Sequence, residues 1–505
     1  MTKLVISILD HMNIITLLNS LVKQPPEIIN LVLAYIPKPF LPIFLDFAPL
    51  VPYILPIIIH NVRIQEGYYR SEDPIDFFSS EFYNSPPVFD SMEDLAEMVQ
   101  KFDVYPKDLE MVNVLGKLAE KFPSKQDERR ETTFMVWGHK YKEILHNISS
   151  IHILDPVTGS NWNDMSFCLT HRFTLGSITY LSEDLENIMR ICPETLQILR
   201  LPYYNFAPSD VFLRFYNLKT LEIKNADLRI FNFLPPTTEN LIIERLGTLT
   251  NFDYESIPIL YKLSYLEVGI RHINDFPLVT MKFPNLKLFH IQNSHHLSDF
   301  DSLHIPDTIN VLKIASCPNL VNYTSLKTFH ELRQISVFNV PVSFDLFNSI
   351  EYIPNLIEFS FIHSFEYDYS EIYDLDLIKF PKSLRILEFR GNFCIQSWEP
   401  PENLQKLSLR GTTFTNGINF KFPINLNNLV MSSTNLSTMD GVQFPPGLRV
   451  LEIRENQNLT TMINTNLQQL TRLVDVKILS NQKLSKLDNF NEDLREGVVM
   501  VYNNG

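Results

Sequence analysis

Residues 444–459, FPPGLRVLEIRENQNL, set the pattern for more than half of this chain. The stretch begins with a Phe-Pro-Pro turn and places Leu448, Leu451 and Ile453 in an LxxLxL frame, which Asn456 follows. In a strand, successive side chains point to opposite faces. The spacing therefore predicts a short strand with its first, fourth and sixth residues in a core and the alternate residues in solvent.

The same frame recurs at steps of 20 to 28 residues, which matches the period of leucine-rich repeats. Such units pack on their neighbours because one repeat cannot bury its apolar face alone. The predicted fold is therefore an α/β leucine-rich-repeat solenoid over residues 148–505, with parallel strands on the concave face and short convex segments. It would hold about 13–15 repeats, because weaker units begin at Ile148 and Leu494. The clear first positions are Leu196, Leu218, Thr238, Leu263, Leu286, Ile309, Leu332, Leu356, Leu384, Leu404, Leu426, Leu448 and Leu473.

The chain ahead of the repeats divides into two predicted regions. Residues 1–60 have apolar side chains at helical spacing, interrupted by prolines, and indicate an all-helical region. Residues 61–147 predict an acidic loop followed by a helical linker or cap. In that second region, Ser91 and Asp94 predict the start of a helix over residues 92–102, and a further helix is expected near residues 112–121.

Composition excludes several classes of partner. The 505 residues have a formal net charge of -15, which disfavours nucleic acid and anionic membrane surfaces as partners. The four cysteines are scattered, which suits a reducing compartment, and we expect the chain in the cytoplasm, the nucleus or both. Residues 28–59 are apolar, but six prolines and two charges argue against a membrane-spanning helix.

Residues 24–37, QPPEIINLVLAYIP, resemble the first helix of an F-box. Gln24 departs from the leading Leu of that motif, and the Trp usual in its second half is absent, since the first Trp is Trp137. The resemblance implies that the matching residues bind the adaptor subunit of a ligase. They are Pro25, Glu27, Ile28, Ile29, Val32, Leu33 and Ile36.

A helical head ahead of such repeats is similar to fungal F-box-like leucine-rich-repeat proteins with degenerate heads. That resemblance implies a substrate-recruiting subunit of a cullin–RING (SCF-type) ubiquitin ligase. The head would bind the ligase adaptor, and the concave face would hold a protein client. The alternative is a stand-alone scaffold whose N-terminal helices only cap the solenoid.

Charged residues at outward strand positions mark a candidate client site. Arg390 and Arg410 should stand side by side on adjacent strands, with their like charges close together. Either Glu388 and Glu452 balance these charges, or the arginines receive an acidic or phosphorylated segment of a partner. The candidate residues are Glu388, Arg390, Ser408, Arg410, Glu452 and Arg454.

No pattern in the chain predicts catalysis, a cofactor or a metal site. His290, His295, His296 and His304 lie near one another in sequence, but no cysteine or carboxylate pattern completes a zinc site. We therefore expect a non-enzymatic chain. The acidic, Tyr-rich residues 365–376 predict a loop that is either solvated or in contact with a partner.

Polar residues recur at the ninth position of the repeat. They are expected to satisfy buried backbone groups in the turn after each strand. These residues are Asn392, Asn456 and Asn481, with Cys317, Thr412 and Thr434 as substitutes.

Overall fold

The three-dimensional structure is a computed structural model. Its backbone divides into two units, residues 1–242 and residues 243–505. The structure describes residues 14–36, 41, 44, 47–65, 87–89, 91–112, 140–153, 172–175, 194–206, 210–247, 252–270, 280–341, 343–363, 372–491, 494 and 499–502.

The first unit begins with short helices, as the proline-punctuated pattern predicts. They are α1 (Ile14–Leu21), α2 (Pro26–Ala34) and α3 (Val51–Ile58), with a 3-10 turn at Ala48–Leu50 before α3. Proline in the first turn of α2 removes no helical hydrogen bond and fixes a helical φ. The helices enclose a core of their own, formed by Ile29, Leu33, Leu41, Leu50 and Ile54.

The helix predicted over residues 92–102 is present as α4 (Met92–Phe102). The Ser91 hydroxyl accepts a hydrogen bond from the Asp94 amide at 3.2 Å and so caps the helix. A shorter helix, α5 (Lys142–Asn147), follows later in the unit. Residues 113–121, where a further helix was predicted, lie outside the described residues.

Parallel strands in the first unit begin earlier than the repeat pattern predicts. The strands of this unit are β1 (Asn61–Gln65), β2 (Val88–Phe89), β3 (Asp108–Val112), β4 (Ser150–Ile153), β5 (Arg172–Leu175), β6 (Ile198–Asn205) and β7 (Thr220–Asp227); β8 (Asn240–Gly247) crosses the division. Strand β1 pairs in parallel with β2 and β3, and β3 is followed in register by β4, β5, β6 and β7. Parallel pairing therefore starts at residue 61, whereas the solenoid was predicted to start at residue 148.

The long gap between β1 and β3 hides this early start in the sequence. Val62 and Ile64 on β1 and Leu109 and Met111 on β3 alternate into the core like later repeat strands. However, 47 residues separate the paired positions Val62 and Leu109 (109 − 62), so no regular period links them.

The second unit contains a ladder of parallel strands, each paired with the next main strand along the chain. Its main strands are β9 (Tyr265–Ile270), β10 (Leu288–Gln292), β11 (Val311–Ala315), β12 (Gln334–Phe338), β13 (Glu358–Ile362), β15 (Ile386–Arg390), β17 (Lys406–Arg410), β19 (Asn428–Ser432), β20 (Val450–Arg454), β22 (Asp475–Leu479) and β24 (Val499–Tyr502). Two small parallel sheets lie in the intervening segments, formed by β14 (Tyr373–Asp374), β16 (Phe393–Ile395) and β18 (Thr413–Phe414), and by β21 (Thr461–Met462) and β23 (Lys486–Leu487).

The core pattern is confirmed in all thirteen clear repeats. Each first, fourth and sixth position is buried, from Leu196, Leu199 and Leu201 to Leu473, Val476 and Ile478. Where the structure describes the segments between these repeat strands, they contain short 3-10 turns and a brief helix, α6 (Phe344–Ile350), as the prediction of short convex segments requires. The 3-10 turns are Asp210–Arg214, Leu228–Phe233, Tyr254–Ser256, Asp301–Leu303, Thr324–Thr328, Leu375–Leu377 and Leu467–Gln469.

The ninth position behaves as predicted in several repeats, with two exceptions, Thr412 and Asn392. The Thr412 hydroxyl is buried and makes no hydrogen bond within the described part of the chain. Asn456 and Asn481 are buried and hydrogen-bonded to each other and to backbone groups. Asn392 is exposed instead, because the turn after β15 opens with Gly391 at φ 141° and buries Phe393. Ser294 fills the same position after β10 and accepts a hydrogen bond from the Ile270 amide at 2.8 Å.

Candidate functional site

The outward side chains at the seventh position of each repeat form one row along the second unit. We call this set of residues the seventh-position row. Paired registers place its members on successive strands, each about 4.8 Å from the next. From β10 to β20 the row is Gln292, Ala315, Phe338, Ile362, Arg390, Arg410, Ser432 and Arg454.

Two arginines stand next to each other in this row. Arg390 on β15 pairs in register with Arg410 on β17, which confirms that they are neighbours. Arg390 is exposed and Arg410 is partly exposed. Like charges on directly opposed strand positions destabilise a sheet unless a counter-charge is near. The surrounding carboxylates therefore decide how this pair is balanced.

Glu452 balances part of this charge, whereas Glu388 pairs elsewhere. Glu452 Oε1 lies 3.0 Å from Arg454 Nε and 3.9 Å from Arg410 Nη2, so one carboxylate serves two guanidinium groups. Glu388 Oε2 lies 3.8 Å from Lys406 Nζ. The Glu452 carboxylate thus pairs with two of the three arginines of the row, Arg410 and Arg454.

Ser408 does not fit the role predicted for it. Its side chain is only 1% exposed, so a partner on this face has no access to it. The short hydroxyl lies beneath a longer neighbour, since Arg410 Nε is 3.5 Å from Ser408 Oγ. Ser408 therefore supports Arg410 and is no contact surface of its own.

An apolar stretch of the row, Phe338 and Ile362, adjoins the arginines and was not predicted from the sequence. Phe338 is 43% exposed and lies in register between Ala315 and Ile362. Ile362 is in turn paired with Arg390. The signal was present in the sequence, since Phe338 occupies the seventh position of its repeat. Finding it required each repeat to be aligned with its neighbours.

A polar cluster occupies the same sheet face near β9. Glu267 Oε2 accepts a hydrogen bond from Tyr265 Oη at 2.5 Å and also lies 3.2 Å from His290 Nδ1. Glu267 Oε1 accepts a hydrogen bond from Gln292 Nε2 at 2.8 Å. The contact with His290, followed by that with Tyr265, holds the pKa of Glu267 below its usual value despite burial. His290 is partly exposed on β10 and is in contact with this carboxylate.

The F-box-like residues of α2 divide between the helix's two sides. Ile29 and Leu33 are buried in the core of the helical head, so a partner has no access to them in this structure. Ile36 is partly buried against the same core. On the other side, Ile28 is 43% exposed and Val32 is 39% exposed. The remaining two predicted residues, Pro25 and Glu27, are exposed at the start of the helix.

Two apolar residues outside the predicted set extend the exposed side of α2. Leu31 is 55% exposed and Tyr35, at the C-cap, is 82% exposed. Together with Ile28 and Val32 they follow the i, i+3, i+4, i+7 spacing of one helical face. We call these four residues the α2 apolar face. Leu31 and Tyr35 lie outside the F-box pattern and were therefore not predicted. Their helical spacing from Ile28 and Val32 is the sequence signal that identifies them.

The described residues contain no group of three or more His, Cys, Asp or Glu side chains placed to hold a metal ion. Across the same described part of the chain, no helix has both the length and the apolarity to span a membrane. Most of residues 365–376 lie outside the described ranges. Asp376 is described, and its carboxylate accepts hydrogen bonds from the Ser397 amide and hydroxyl.

No protein-family model and no curated protein matches this chain. Among solved structures, it is similar to the circular leucine-rich-repeat protein CroV588, at 15% identity and a TM-score of 0.40 over 70% of this chain and 55% of that chain. It is also similar to the Toll–Spätzle complex of Drosophila, at 14% identity and a TM-score of 0.44 over 77% of this chain and 48% of that one. An internalin of Listeria monocytogenes matches at 14% identity and a TM-score of 0.35, over 74% of this chain and 98% of the internalin. The chain thus spans about half the length of the first two, and the likeness concerns the repeat fold alone.

Proposed function

We propose that this chain is a non-enzymatic protein-binding scaffold that holds a client on the open sheet face of its repeats. We further propose that the α2 apolar face attaches it to the adaptor subunit of a cullin–RING ubiquitin ligase. The chain would then act as a substrate-recruiting subunit, in the cytoplasm or the nucleus, and would do no chemistry itself. The exposed α2 apolar face is the observation that carries the ligase proposal.

The α2 apolar face has the features of a surface that binds a partner helix or groove. An amphipathic helix offers anchors at i, i+3, i+4 and i+7 to an apolar groove. Ile28, Leu31, Val32 and Tyr35 have that spacing, and the opposite side of α2 already packs in the core of the head. Burying the exposed part of each side chain would contribute about 1 kcal/mol. Together the four side chains would contribute about 4 kcal/mol to binding.

Charge substitution on the exposed side of α2 tests this attachment. In the full chain, Ile28→Asp combined with Val32→Asp should abolish co-purification with the purified adaptor subunit, because charges would replace two of the four apolar anchors. Both positions are partly exposed, so the head should keep its helical circular dichroism signal. Ile29→Asp is unsuitable, because Ile29 is fully buried and its substitution would unfold the head.

The matched control places the same charges elsewhere. Ile259→Asp combined with Ile424→Asp changes two exposed apolar residues of the second unit and should leave adaptor binding intact. If the wild-type chain does not bind the adaptor at all, the ligase role is wrong and the scaffold role remains.

A stand-alone scaffold is the second candidate, and the core of the head favours it. Ile29 and Leu33, two of the residues that match the F-box pattern, pack against Leu41, Leu50 and Ile54. Residues that build the head's own core would be kept whether or not an adaptor binds. Under this alternative, the double substitution on α2 changes solubility and leaves every binding property of the repeats unchanged.

A further inference from the structure

The turn after β18 contains an Asn-Gly pair, Asn416 and Gly417, that the proposed function does not use. Asn416 is exposed and Gly417 is partly exposed. Within the described part of the chain, neither the Asn416 side chain nor the Gly417 amide makes a hydrogen bond. A Cβ atom added at Gly417 would meet no described heavy atom within 4 Å outside its chain neighbours, so nothing crowds the backbone there. The side-chain amide and the following backbone amide are therefore free to react with each other.

We infer that Asn416 is a site of spontaneous deamidation, with water as the co-reactant. The Gly417 amide nitrogen gives its proton to solvent and bonds to Asn416 Cγ, while the Cγ–Nδ2 bond breaks and Nδ2 leaves as ammonia with a proton from solvent. Water then opens the five-membered imide ring. Breaking the ring bond to Cγ gives aspartate, whereas breaking the ring bond to the main-chain carbonyl carbon gives isoaspartate. Neither step needs an oxidant or a reductant.

Gly417 favours this reaction because it has no side chain. Asparagine is among the chemically labile residues of proteins, and a Cβ on the next residue would hinder the approach of the backbone nitrogen to Cγ. Gly417 has φ 71°, in the left-handed region that glycine occupies without strain. The turn is held at its two ends, where the Thr415 amide donates to the Ile395 carbonyl at 3.0 Å and Asn419 Nδ2 donates to the Gln396 carbonyl at 2.5 Å.

Two other turns of the second unit lack this combination. Gly441 has a similar φ of 74° and follows Asp440, but its amide donates a hydrogen bond to the Ile463 carbonyl at 2.9 Å. The Asp440 carboxylate accepts a hydrogen bond from the Ile463 amide at 2.8 Å, so both groups that would react are occupied. Asn458 is exposed, but the next residue, Leu459, has a buried side chain and a hydrogen-bonded amide. We therefore expect both of these turns to react far more slowly.

Conversion changes the charge and the main chain of the turn. Either product replaces a neutral amide by a carboxylate, which adds one negative charge to a chain whose net charge is -15. Isoaspartate also takes the main chain through Cβ, so it lengthens the backbone between the held residues Thr415 and Asn419. Strand β18 ends at Phe414, just before the turn, and pairs with β16. Hydrogen exchange should therefore accelerate in β18 as the isoaspartate form accumulates.

Peptide mapping of the full chain during incubation at mildly alkaline pH tests this site. Mass spectrometry follows each peptide separately, which distinguishes Asn416 from the second Asn-Gly pair, residues 504–505, outside the described residues. A parallel sample unfolded in guanidinium chloride gives the rate without structure. In the folded chain, we expect Asn416 to convert within threefold of its unfolded rate and Asn458 at least tenfold more slowly than Asn416. Asp440 should form isoaspartate at least tenfold more slowly in the folded chain than in the unfolded one.

Substitutions in the turn test the chemistry. Asn416→Gln should stop the conversion, because attack would then have to close a six-membered ring. Gly417→Ala should slow it at least tenfold, because the methyl group hinders the approach of the nitrogen. The matched control is Gly441→Ala, which also adds a methyl group at a positive φ with no described atom within 4 Å and should leave the Asn416 rate unchanged. Circular dichroism of each variant checks that it folds.

The outcomes separate this inference from the proposed function. A folded chain that converts Asn416 more than threefold more slowly than the unfolded chain overturns the inference, because the structure would then protect the site. Conversion of the folded Gly417→Ala form at the wild-type rate also overturns it. None of these results affects adaptor binding, which the α2 variants measure.

Discussion

Asn456 is the residue that ties neighbouring repeats together most completely. Its Oδ1 accepts hydrogen bonds from the amide and the hydroxyl of Thr434 at 2.9 and 2.7 Å. Its Nδ2 donates to the Met431 carbonyl at 3.3 Å and to Asn481 Oδ1 at 3.1 Å. The side chain is 1% exposed, so water does not replace these contacts. Its chemistry was predicted from the repeat alone.

Replacing Asn456 by Leu should lower the free energy of unfolding by about 2–3 kcal/mol. The substitution leaves the Thr434 amide and the Met431 carbonyl buried without this partner, and such groups cost about 1–3 kcal/mol each. Urea unfolding followed by circular dichroism measures the change. Asn458→Ala, an exposed asparagine in the same turn, is the control and should shift the midpoint little. Equal effects of the two substitutions would contradict a structural role for the asparagine ladder.

His363 makes stability depend on pH in a direction set by its burial. Desolvation lowers the pKa of His363, and a hydrogen bond involving the Val340 backbone offsets this only in part. The folded state therefore holds the imidazole neutral at a pH where the unfolded chain already binds a proton. The contribution of His363 to the free energy of unfolding is therefore present above a pH of about 6.5 and is lost as the pH falls below that value.

Removing the imidazole should flatten the acid side of the stability curve. We expect the unfolding free energy of His363→Gln to fall less steeply than that of the wild type between pH 7 and pH 5, by at most about 1.4 kcal/mol per pH unit. Denaturant unfolding at several pH values measures the slopes. His295→Gln, an exposed histidine, should keep the wild-type slope. Parallel curves for His363→Gln and wild type would show that His363 does not titrate as described.

At the scale of elements, α4 shows how far local signals determine a boundary. The Ser91 hydroxyl accepts a hydrogen bond from the Asp94 amide at the start of the helix. At its end, Asp103 has a left-handed conformation with φ 52°. Met92, Leu95 and Val99 form its buried side, as their spacing predicts. Phe102 follows Val99 at the same helical spacing, but it is 38% exposed because it lies at the last position of the helix.

The N-cap of α4 gives a direct stability prediction. Ser91→Ala should destabilise the chain by about 1 kcal/mol, since the Asp94 amide loses its acceptor. Ser91→Thr keeps a hydroxyl at this position and should restore most of that loss. Thermal unfolding of the full chain, with the helical signal as the readout, compares the three forms. A Ser91→Thr form as unstable as Ser91→Ala would mean that the hydroxyl acts by another route than capping.

At the scale of the whole molecule, the repeats make stability depend on sequence neighbours. Strand β17, for example, pairs in parallel with β15 before it and with β19 after it, and repeats of this kind are stabilised by contacts with their neighbours. Leu407 on β17 is fully buried in this way. A defect at one repeat should therefore weaken its neighbours more than distant repeats.

Leu407→Ala tests this one-dimensional coupling. We expect a loss of about 2–5 kcal/mol from the cavity, and hydrogen exchange should accelerate in β15 and β19 before it does in β10 and β11. Hydrogen exchange with mass spectrometry resolves these strands separately. Gln405→Ala, an exposed position just before the same strand, is the control. A uniform rise in exchange over the whole unit would indicate a single cooperative block instead.

The sequence alone determined the repeat class, the register of the thirteen cores and the buried role of Asn456 and Asn481 at the ninth position. These features repeat with a fixed period, and a side chain that alternates along a strand has only one face to bury. The head's helical character was also predictable, because prolines and apolar spacing are local signals.

Only the tertiary structure decided which predicted site residues a partner can reach. The buried positions of Ser408, Ile29 and Leu33 depend on what packs over them, which no local pattern records. The division of counter-ions between Glu452 and Glu388 depends on strand register and rotamers together. Phe338 and Arg390 lie 52 residues apart in sequence (390 − 338) and only two strands apart in space, because parallel pairing brings equal repeat positions together.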